Sequence, residues 1–301
     1  MELIRPGTQI DFMKFKYIAI AISIAVFALS LISIFFVKGI NYGIDFAGGT
    51  EVQVNFSDPV TTGDLRSALD TIGFSKARIQ SIESSQGAEY LLRIQMIEDS
   101  TEDVVQKVEG ALDETFGKEK VDIRRAEMVG SEVSKDLKQK GFLSLFYAGI
   151  CILIYIWWRF ELRFSFSAIL ALIHDVVITV GIFSIMGKEI NLPVVAALLA
   201  IVGYSLNDTI VVFDRIRENM KKASTGSYDL MSLLNNSISQ TLSRTLLTSL
   251  TTFIVVLCLY LLGGSVIHNF AFAMMVGVIV GSYSSIFIAS PILLIMSQDK
   301  K

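Results

Sequence analysis

Long apolar runs divide the chain into six candidate membrane helices. A bilayer core about 30 Å thick needs roughly 20 apolar residues in a helix, because each residue rises about 1.5 Å. The runs are Tyr17 to Val37, Gly141 to Trp158, Phe164 to Gly187, Ile190 to Phe213, Thr245 to Ile267 and Asn269 to Gln298. The first run is too long for the apolar region of a signal peptide, so we expect it to be retained. Six spans would place both termini on one side of the membrane.

The segment between the first two runs has the periodicities of a folded α+β domain. Val52, Val54 and Phe56 alternate with Gln53 and Asn55, which is typical of a half-buried strand. The later elements of this segment are a helix from Thr61 or Thr62 to Gly73, a strand from Ala77 to Glu83 with a bulge, a turn at Ser84 to Gly87, a strand through Tyr90, Leu92, Ile94 and Met96, a helix from Val104 to Phe116 and a strand from Val121. The order strand, helix, strand, strand, helix, strand predicts a split βαβ, ferredoxin-like sandwich.

These patterns together predict a membrane all-α bundle of six helices with one inserted α+β domain. The predicted segments are 1–16 (terminal segment), 17–37 (first span), 38–139 (inserted domain) and 140–301 (five further spans, with a loop at 214–244). The inserted domain is either a plain folded module or a surface whose open sheet face or edge binds an extended polypeptide or a partner domain.

Lysine and arginine positions predict the orientation of the bundle. If the N-terminus is cytoplasmic, the cytoplasmic segments hold twelve of these residues, whereas the short external connections hold only Lys188. Cytoplasmic loops carry the excess of positive charge in membrane proteins. We therefore expect both termini in the cytoplasm and the inserted domain on the extracytoplasmic side.

Composition removes several classes of function. With 52% hydrophobic and only 18% charged residues and a mean hydropathy of +0.57, the 301-residue chain is not an ordinary soluble domain. Nineteen of its 29 Asp and Glu lie between Lys38 and Gln139, and this acidic balance argues against a nucleic-acid partner. Cys151 and Cys258 both lie in apolar runs. We find no nucleotide loop, metal cluster or nucleophile with a base, so we expect no enzyme activity, no metal and no cofactor.

Ionisable residues inside the apolar runs are the candidate functional groups. Such a group costs roughly 2.5–3.5 kcal/mol to insert and usually faces a bundle interior or an aqueous path. His174 and Asp175 lie near the middle of the third run, Asp208 lies in the fourth, and Arg244 lies at the predicted cytoplasmic entrance of the fifth. Asp208 precedes Asp214 by six residues, which places it only about 9 Å inside the boundary.

Asp208 and Arg244 therefore form a candidate proton switch. An arginine stem is long enough to reach a carboxylate on a neighbouring helix, so Asp208 could alternate between a protonated and an arginine-paired form. Simpler interpretations stay open: Arg244 as a snorkelling cation, Asp208 in a structural hydrogen bond, and His174 with Asp175 as packed polar groups.

Other polar and aromatic positions have structural interpretations. A helix from Leu230 to Leu242 has an apolar face opposed by a polar face, which fits an inner-leaflet helix, contact with another subunit, or a simple connecting helix. Trp157 and Trp158 resemble an interfacial belt. The small residues Ser23, Ser30, Gly277 and Gly281 favour close helix packing.

Several stretches resemble the SecF family of bacterial protein-export membrane subunits. They are Gly43-Ile-Asp-Phe-Ala-Gly-Gly49, Ile173-His-Asp175, Asn191 to Ala197, Gly203 to Asn219 and Ser239 to Thr245. The likeness covers essentially the whole chain, and the Gly203 to Asn219 stretch is its most specific part.

The resemblance implies an accessory subunit in the bacterial cytoplasmic membrane that works with SecD beside the SecYEG channel. It would use the proton motive force to promote export of preproteins, with the proton as coupling ion, and it would form half of a resistance-nodulation-division (RND) transporter plan. Asp208 and Arg244, with the motif neighbours Asn207 and Thr209, would be proton-pathway residues, and His174 and Asp175 would be further candidates. Gly43, Asp45, Phe46, Gly48 and Gly49 would form the family's glycine motif.

Two other functions compete with this expectation. One is an RND-type exporter of a small hydrophobic molecule or a lipid, and an inserted domain of only about a hundred residues argues against it. The other is a purely structural stabiliser of the translocon, for which export would stay normal with alanine at both Asp208 and Arg244.

Overall fold

A computed structural model of the chain describes residues 9–82, 88–94, 101–223 and 229–298. The predicted turn at Ser84 to Gly87 and the strand residue Met96 lie outside the described residues. The chain divides into two compact units, one formed by Met1–Asn41 with Phe142–Lys301 and the other by Tyr42–Gly141. We call them the membrane unit and the inserted unit.

The described residues form helices and strands in the following order. They are α1 (Lys16–Ile32), β1 (Asn41–Tyr42), α2 (Ile44–Ala47), β2 (Gly49–Phe56), α3 (Thr62–Thr71), β3 (Arg78–Ile82), β4 (Ala88–Ile94), α4 (Thr101–Phe116), β5 (Val121–Val129), α5 (Ser131–Arg159), α6 (Leu162–Met186), β6 (Glu189–Ile190), α7 (Leu192–Ala223), α8 (Leu230–Leu262), α9 (Gly264–Ser284) and α10 (Ser290–Gln298). A 3₁₀ turn at Met13–Phe15 precedes α1, a π-helical segment at Ser33–Val37 extends it, and a second π-helical segment at Ser285–Ala289 joins α9 to α10.

Six helical segments in the described part of the chain are long and apolar enough to cross a membrane, as predicted. They are Met13–Val37, Ser131–Arg159, Leu162–Met186, Leu192–Ala223, Leu230–Leu262 and Gly264–Ser297. Several extend well beyond the predicted apolar runs, because a helix continues through polar residues once it leaves the apolar layer.

Two predicted helix boundaries are wrong. The fifth span ends at Leu262 rather than Ile267, and the sixth begins at Gly264 rather than Asn269. Gly264 has a φ of +72°, a left-handed conformation that favours glycine and ends a run of helical backbone.

Asp229 caps the start of α8 by accepting hydrogen bonds from the Met231 and Ser232 backbone N–H groups at 3.3 and 3.0 Å.

The segment from Leu230 to Leu242 is the first part of α8 and not a separate surface helix. Its apolar side chains at Leu233, Leu234, Ile238 and Leu242 are buried in the membrane-unit core. Its polar face contacts the residues just before α1: Asn235 Oδ1 accepts from the Met13 N–H at 2.9 Å, and Asn235 Nδ2 donates to Asp11 Oδ1 at 2.7 Å. We call this contact the N-terminal clasp.

The inserted unit contains an antiparallel sheet with the strand order β3-β4-β2-β5. Each of its two crossover helices, α3 and α4, joins strands that have one other strand between them, which is the predicted order of elements. Inward-facing residues of the sheet, such as Val52, Val54 and Leu92, pack with helix residues such as Leu65 and Leu112.

The predicted bulge lies in a different strand. Pairing of β3 with β4 runs from Arg78 opposite Arg93 to Ile82 opposite Glu89 without a shift. The shift occurs where β2 meets β5: Gln53 is opposite Arg125 while Val54 is opposite Ile123. One extra residue in β5, an exposed edge strand, produces this bulge.

Small residues let the membrane helices approach closely, as predicted. A Cβ placed on Gly181 of α6 would lie 2.2 Å from Ser30 Cβ of α1. A Cβ on Gly277 of α9 would lie 2.2 Å from Ile201 Cγ1, and one on Gly281 would lie 3.0 Å from Ser205 Cβ. Because these glycines have no side chain, α1 can pack closely on α6, and α9 can pack closely on α7.

Candidate functional site

Asp175 is a buried carboxylate with donors from three helices. It lies about 20 Å along α6 from Leu162 by helical rise and is 0% exposed. Its Oδ2 accepts hydrogen bonds from Ser205 Oγ of α7 at 2.6 Å and from Ser284 Oγ of α9 at 2.8 Å. His174 Nδ1 lies 2.9 Å from its Oδ1. These bonds replace the water that a carboxylate loses inside a membrane.

His174 is bonded on one side of its ring only. Its Nε2 atom is buried and has no hydrogen-bond partner within the described residues. The ring stacks against Phe27 of α1, with 6.4 Å between ring centroids and an interplanar angle of 6°. His174 therefore lies between the Asp175 carboxylate and Phe27 of α1.

Asp208 lies on α7, three residues after Ser205, and is 2% exposed. Its Oδ2 accepts a long hydrogen bond of 3.4 Å from Ser249 Oγ of α8. Ser249 Oγ lies 2.6 Å from Ser282 Oγ of α9, so three helices meet here as well. One turn before Ser249, the Thr245 hydroxyl is buried without a partner among the described residues.

Arg244 is exposed and does not contact Asp208 in this structure. Among the described residues its side chain makes no ion pair. Arg244 and the Asp208 partner Ser249 are five residues apart, which separates them by about 140° around α8. The predicted pairing is therefore not formed here, and the exchange between the two residues stays a prediction.

The two motif neighbours of Asp208 have different surroundings. Thr209 is buried and its Oγ1 donates to the Ser205 carbonyl at 3.1 Å. Asn207 is exposed, on the side of α7 opposite to Thr209. Thr209 thus belongs to the helix-packing surface beside the Asp175 cluster, whereas Asn207 faces away from the described chain.

Ser205, Ser249, Ser282 and Ser284 link the two acids to the helices around them. Sequence patterns alone did not assign a role to Ser282 or Ser284, although a polar run of Ser282, Tyr283, Ser284 and Ser285 inside an apolar helix was a usable signal. Ser284 bonds Asp175 and Ser282 bonds Ser249, so one turn of α9 contacts both acid sites. We call these two carboxylates and their hydroxyl partners the paired acid site.

The glycine motif begins the inserted unit. Gly43 precedes α2, and its carbonyl accepts from the Phe46 and Ala47 N–H groups at 3.1 and 2.9 Å. Gly48 and Gly49 have φ values of +74° and +116°, so the chain turns from α2 into β2 through conformations that favour glycine. Phe46 is buried and contacts Tyr42 edge-to-face, while Asp45 is half-buried in α2.

Known families match both parts of the chain. Residues 107–299 match the family described as protein export membrane protein SecD/SecF, C-terminal. Residues 33–60 match the SecD/SecF GG motif, which includes the glycines described above.

Relatives and solved structures agree with these matches. The chain is 46% identical over 288 residues to the protein translocase subunit SecF of Desulfurispirillum indicum, covering 94% of this chain and 90% of the relative. It is 39% identical to the protein translocase subunit SecDF of Brucella abortus, covering 97% of this chain but 38% of that one. The crystal structure of SecDF, a translocon-associated membrane protein from Thermus thermophilus, matches with a TM-score of 0.87 and 37% identity, covering 98% of this chain and 39% of that one.

The chain thus spans about two fifths of the SecDF proteins and nearly the full length of the separate SecF relative. Its six candidate spans and its match to SecDF indicate a multi-pass membrane protein with half of a larger helical architecture. On these grounds the chain belongs to the SecF family of protein translocase subunits.

Proposed function

We propose that this chain is a non-enzymatic accessory subunit of the Sec protein translocase that uses the proton motive force to promote export of preproteins. The observation that carries the proposal is the paired acid site: two buried carboxylates within a membrane bundle, Asp175 bonded to two serine hydroxyls and Asp208 to one. Buried ionisable groups of this kind mark ion pathways in membrane proteins.

Asp208 is the proposed proton carrier, because its carboxylate is more weakly hydrogen-bonded than that of Asp175. Asp175 accepts two serine hydrogen bonds of 2.6 and 2.8 Å, whereas Asp208 accepts one of 3.4 Å. A carboxylate that is poorly stabilised as an ion readily takes up a proton. Asp175 and His174 then act as a positioning cluster and a further candidate for proton transfer.

Arg244 is the proposed counter-ion of ionised Asp208. A turn of α8 about its axis would bring the guanidinium toward α7, and protonation of Asp208 would release it again. In this scheme, the released state has Asp208 bonded to Ser249 and Arg244 exposed. The membrane potential supplies about 2.3 kcal/mol per charge per 100 mV for such a cycle.

A SecD-like subunit is the proposed partner. The chain matches about two fifths of SecDF proteins in which the remainder is continuous with it. Exposed Asn207 lies on a face of α7 that the described chain leaves uncovered, and a second half-transporter would cover it. SecYEG and unfolded preproteins are the further proposed partners.

The inserted unit is the proposed extracytoplasmic, ferredoxin-like part of the machine. Its strand order is that of a split βαβ sandwich, and the distribution of lysine and arginine favours its placement outside and both termini inside. In the described part of the sheet, β3 and β5 are the edge strands, and such edges can add a strand from an extended polypeptide.

The test is export with Asp208→Asn in membrane vesicles that contain a SecD-like subunit and SecYEG. We expect stimulation by the proton motive force to disappear, because asparagine cannot exchange a proton, while export without the gradient continues. Asp214→Asn is the matched control, since Asp214 lies on the same helix and pairs with Arg159 outside the bundle core. Full stimulation with Asp208→Asn would reject the proposal. Copurification of the SecD-like subunit checks that the variant still assembles.

A further inference from the structure

A cavity of about 470 Å³ lies where α5 turns into α6 beside the last turns of α7. Residues 158–161, together with Phe164, line one side of it, and Arg217, Met220 and Lys221 line the other. We call it the basic pocket. It lies at one end of the membrane unit, where Arg217 is nine residues, or about 13 Å, along α7 from Asp208, and the proposed proton cycle does not use it.

Cations exceed carboxylates in and around this pocket. The lining residues Arg159, Arg217 and Lys221 face a single lining acid, Glu161. Glu161 is already engaged by Arg163, whose Nη2 donates to Glu161 Oε2 at 2.5 Å. Arg159 is engaged by Asp214, with Nη2 3.1 and 3.2 Å from the two carboxylate oxygens.

Arg217 is the cation that this arrangement leaves uncompensated. Its Nη1 donates to the Arg159 carbonyl at 3.3 Å. It has no carboxylate partner in the part of the chain that the structure describes. The nearby acid Glu218 is held by Arg215 and Lys222, each at 2.7 Å. A planar guanidinium with several N–H donors is suited to a phosphate.

The pocket joins this charge to an apolar floor and an open lipid-facing side. Phe160 and Phe164 are 5% and 2% exposed and lie at its base. Trp158, at its rim, is 86% exposed, and the neighbouring Leu162 is also exposed. A soluble anion would leave this apolar surface uncovered. The acyl chains of a phospholipid can cover it while the charged headgroup binds the cations.

The position also fits a headgroup. α5 is apolar from Gly141 to Trp158 and becomes charged at Arg159. At the same level α6 begins with Leu162 and Arg163, and α7 becomes charged from Asp214. All three changes mark the same membrane–water boundary, where tryptophan is enriched and lipid phosphates lie. Basic pockets between membrane helices bind anionic lipid headgroups in this way.

We propose that the basic pocket binds one anionic phospholipid, with its phosphate at Arg217 and Lys221 and its acyl chains against Trp158 and the lipid-facing side of α5. The site holds a phosphate monoanion with a glycerol backbone and does not depend on the proton cycle. A bound lipid of this kind would join α5 to the end of α7.

Tryptophan fluorescence gives a direct test, because the chain has only two tryptophans, Trp157 and Trp158, and Trp158 lines the pocket. The full chain carrying Trp157→Phe is reconstituted in phosphatidylcholine bilayers that contain a low, fixed fraction of brominated phosphatidylglycerol. Brominated phosphatidylcholine at the same fraction reports random contact with bulk lipid. Quenching of Trp158 in excess of that reference measures occupancy of the pocket.

We expect the apparent preference for phosphatidylglycerol to fall about tenfold in Arg217→Gln/Lys221→Gln, since each surface cation contributes appreciably to anionic-lipid binding. The matched control is Lys14→Gln/Lys16→Gln, which also removes two cations but leaves the pocket lining and its ion pairs intact. The control should keep the preference. Circular dichroism checks that both variants stay folded.

Three results would overturn the proposal. Equal loss in both double variants would mean general attraction to a negative surface. No excess quenching in the parent would mean that the pocket is empty of lipid. Excess quenching that persists undiminished in Arg217→Gln/Lys221→Gln would mean that the lipid does not bind through these two cations.

Discussion

The packing of Gly181 of α6 against Ser30 of α1 is predicted to tolerate no side chain larger than hydrogen. A Cβ at position 181 would lie 2.2 Å from Ser30 Cβ, 2.3 Å from its Oγ and 2.7 Å from its Cα. Carbon atoms pack at about 3.5–4.0 Å, so Gly181→Ala forces the two helices apart by roughly 1.3 Å or more.

That separation has a second consequence at the end of α1. Ser33 Oγ lies 2.8 Å from Ser184 Oγ, one turn beyond Gly181, and Ser184 Oγ also donates to the Gly39 carbonyl at 2.7 Å. Moving the helices apart stretches the Ser33–Ser184 bond beyond hydrogen-bonding distance. Overpacking and the lost bond together predict a destabilisation of about 2–4 kcal/mol.

The assay is reversible unfolding of the detergent-solubilised chain by a denaturing surfactant, followed by circular dichroism. Gly149→Ala in α5 is the matched control, because a Cβ there meets nothing within 4 Å, so the variant should be neutral or slightly stabilised. Ser30→Gly removes the two closest atoms, and in combination with Gly181→Ala it should restore part of the stability. The rescue stays partial because the backbone carbon at position 30 would still lie 2.7 Å from the new methyl group. If Gly181→Ala is as stable as Gly149→Ala, or if Ser30→Gly lowers the stability of Gly181→Ala further, then contact with Ser30 does not limit the residue at position 181.

Three further outcomes follow from particular contacts. Ser284→Ala should lower the free energy of unfolding by about 1–2 kcal/mol, because Asp175 loses a buried donor at 2.8 Å. Thr251→Ala is the control and should change this free energy little, because the Thr251 hydroxyl is exposed and bonds only carbonyls of its own helix. Chemical unfolding measures both variants. Asn235→Ala removes both bonds of the N-terminal clasp, so limited proteolysis should cut residues 9–15 several-fold faster than in the parent while the rest of the chain stays resistant. Gly49→Ala should lower the free energy of unfolding of the inserted unit by about 1–3 kcal/mol, because the backbone φ at position 49 is +116°. Gly63→Ala is the control, because φ at position 63 is ordinary. Equal thermal stability of the two variants would contradict this prediction.

Local periodicity is what the sequence could report. Six apolar runs predict six membrane helices, since span length follows from bilayer thickness, and the alternation through Val52, Val54 and Phe56 predicts the first sheet strand. Buried ionisable residues were equally visible, because Asp175 and Asp208 interrupt apolar runs. Helix ends were harder to predict: α8 ends at Leu262 because of the backbone at Gly263 and Gly264, which an apolar count does not detect.

Interactions between distant residues were decided by the tertiary structure. Asp175 receives its donors from Ser205 and Ser284, which are 30 and 109 residues away, and the N-terminal clasp joins positions more than 220 residues apart. Whether Arg244 faces Asp208 depends on the rotation of α8 about its axis, and that rotation is set by packing against α7 and α9. Hydrophobic patterning therefore determined which segments become helices and strands, while the close approach of helices at Gly181, Gly277 and Gly281 decided which polar side chains meet inside the membrane.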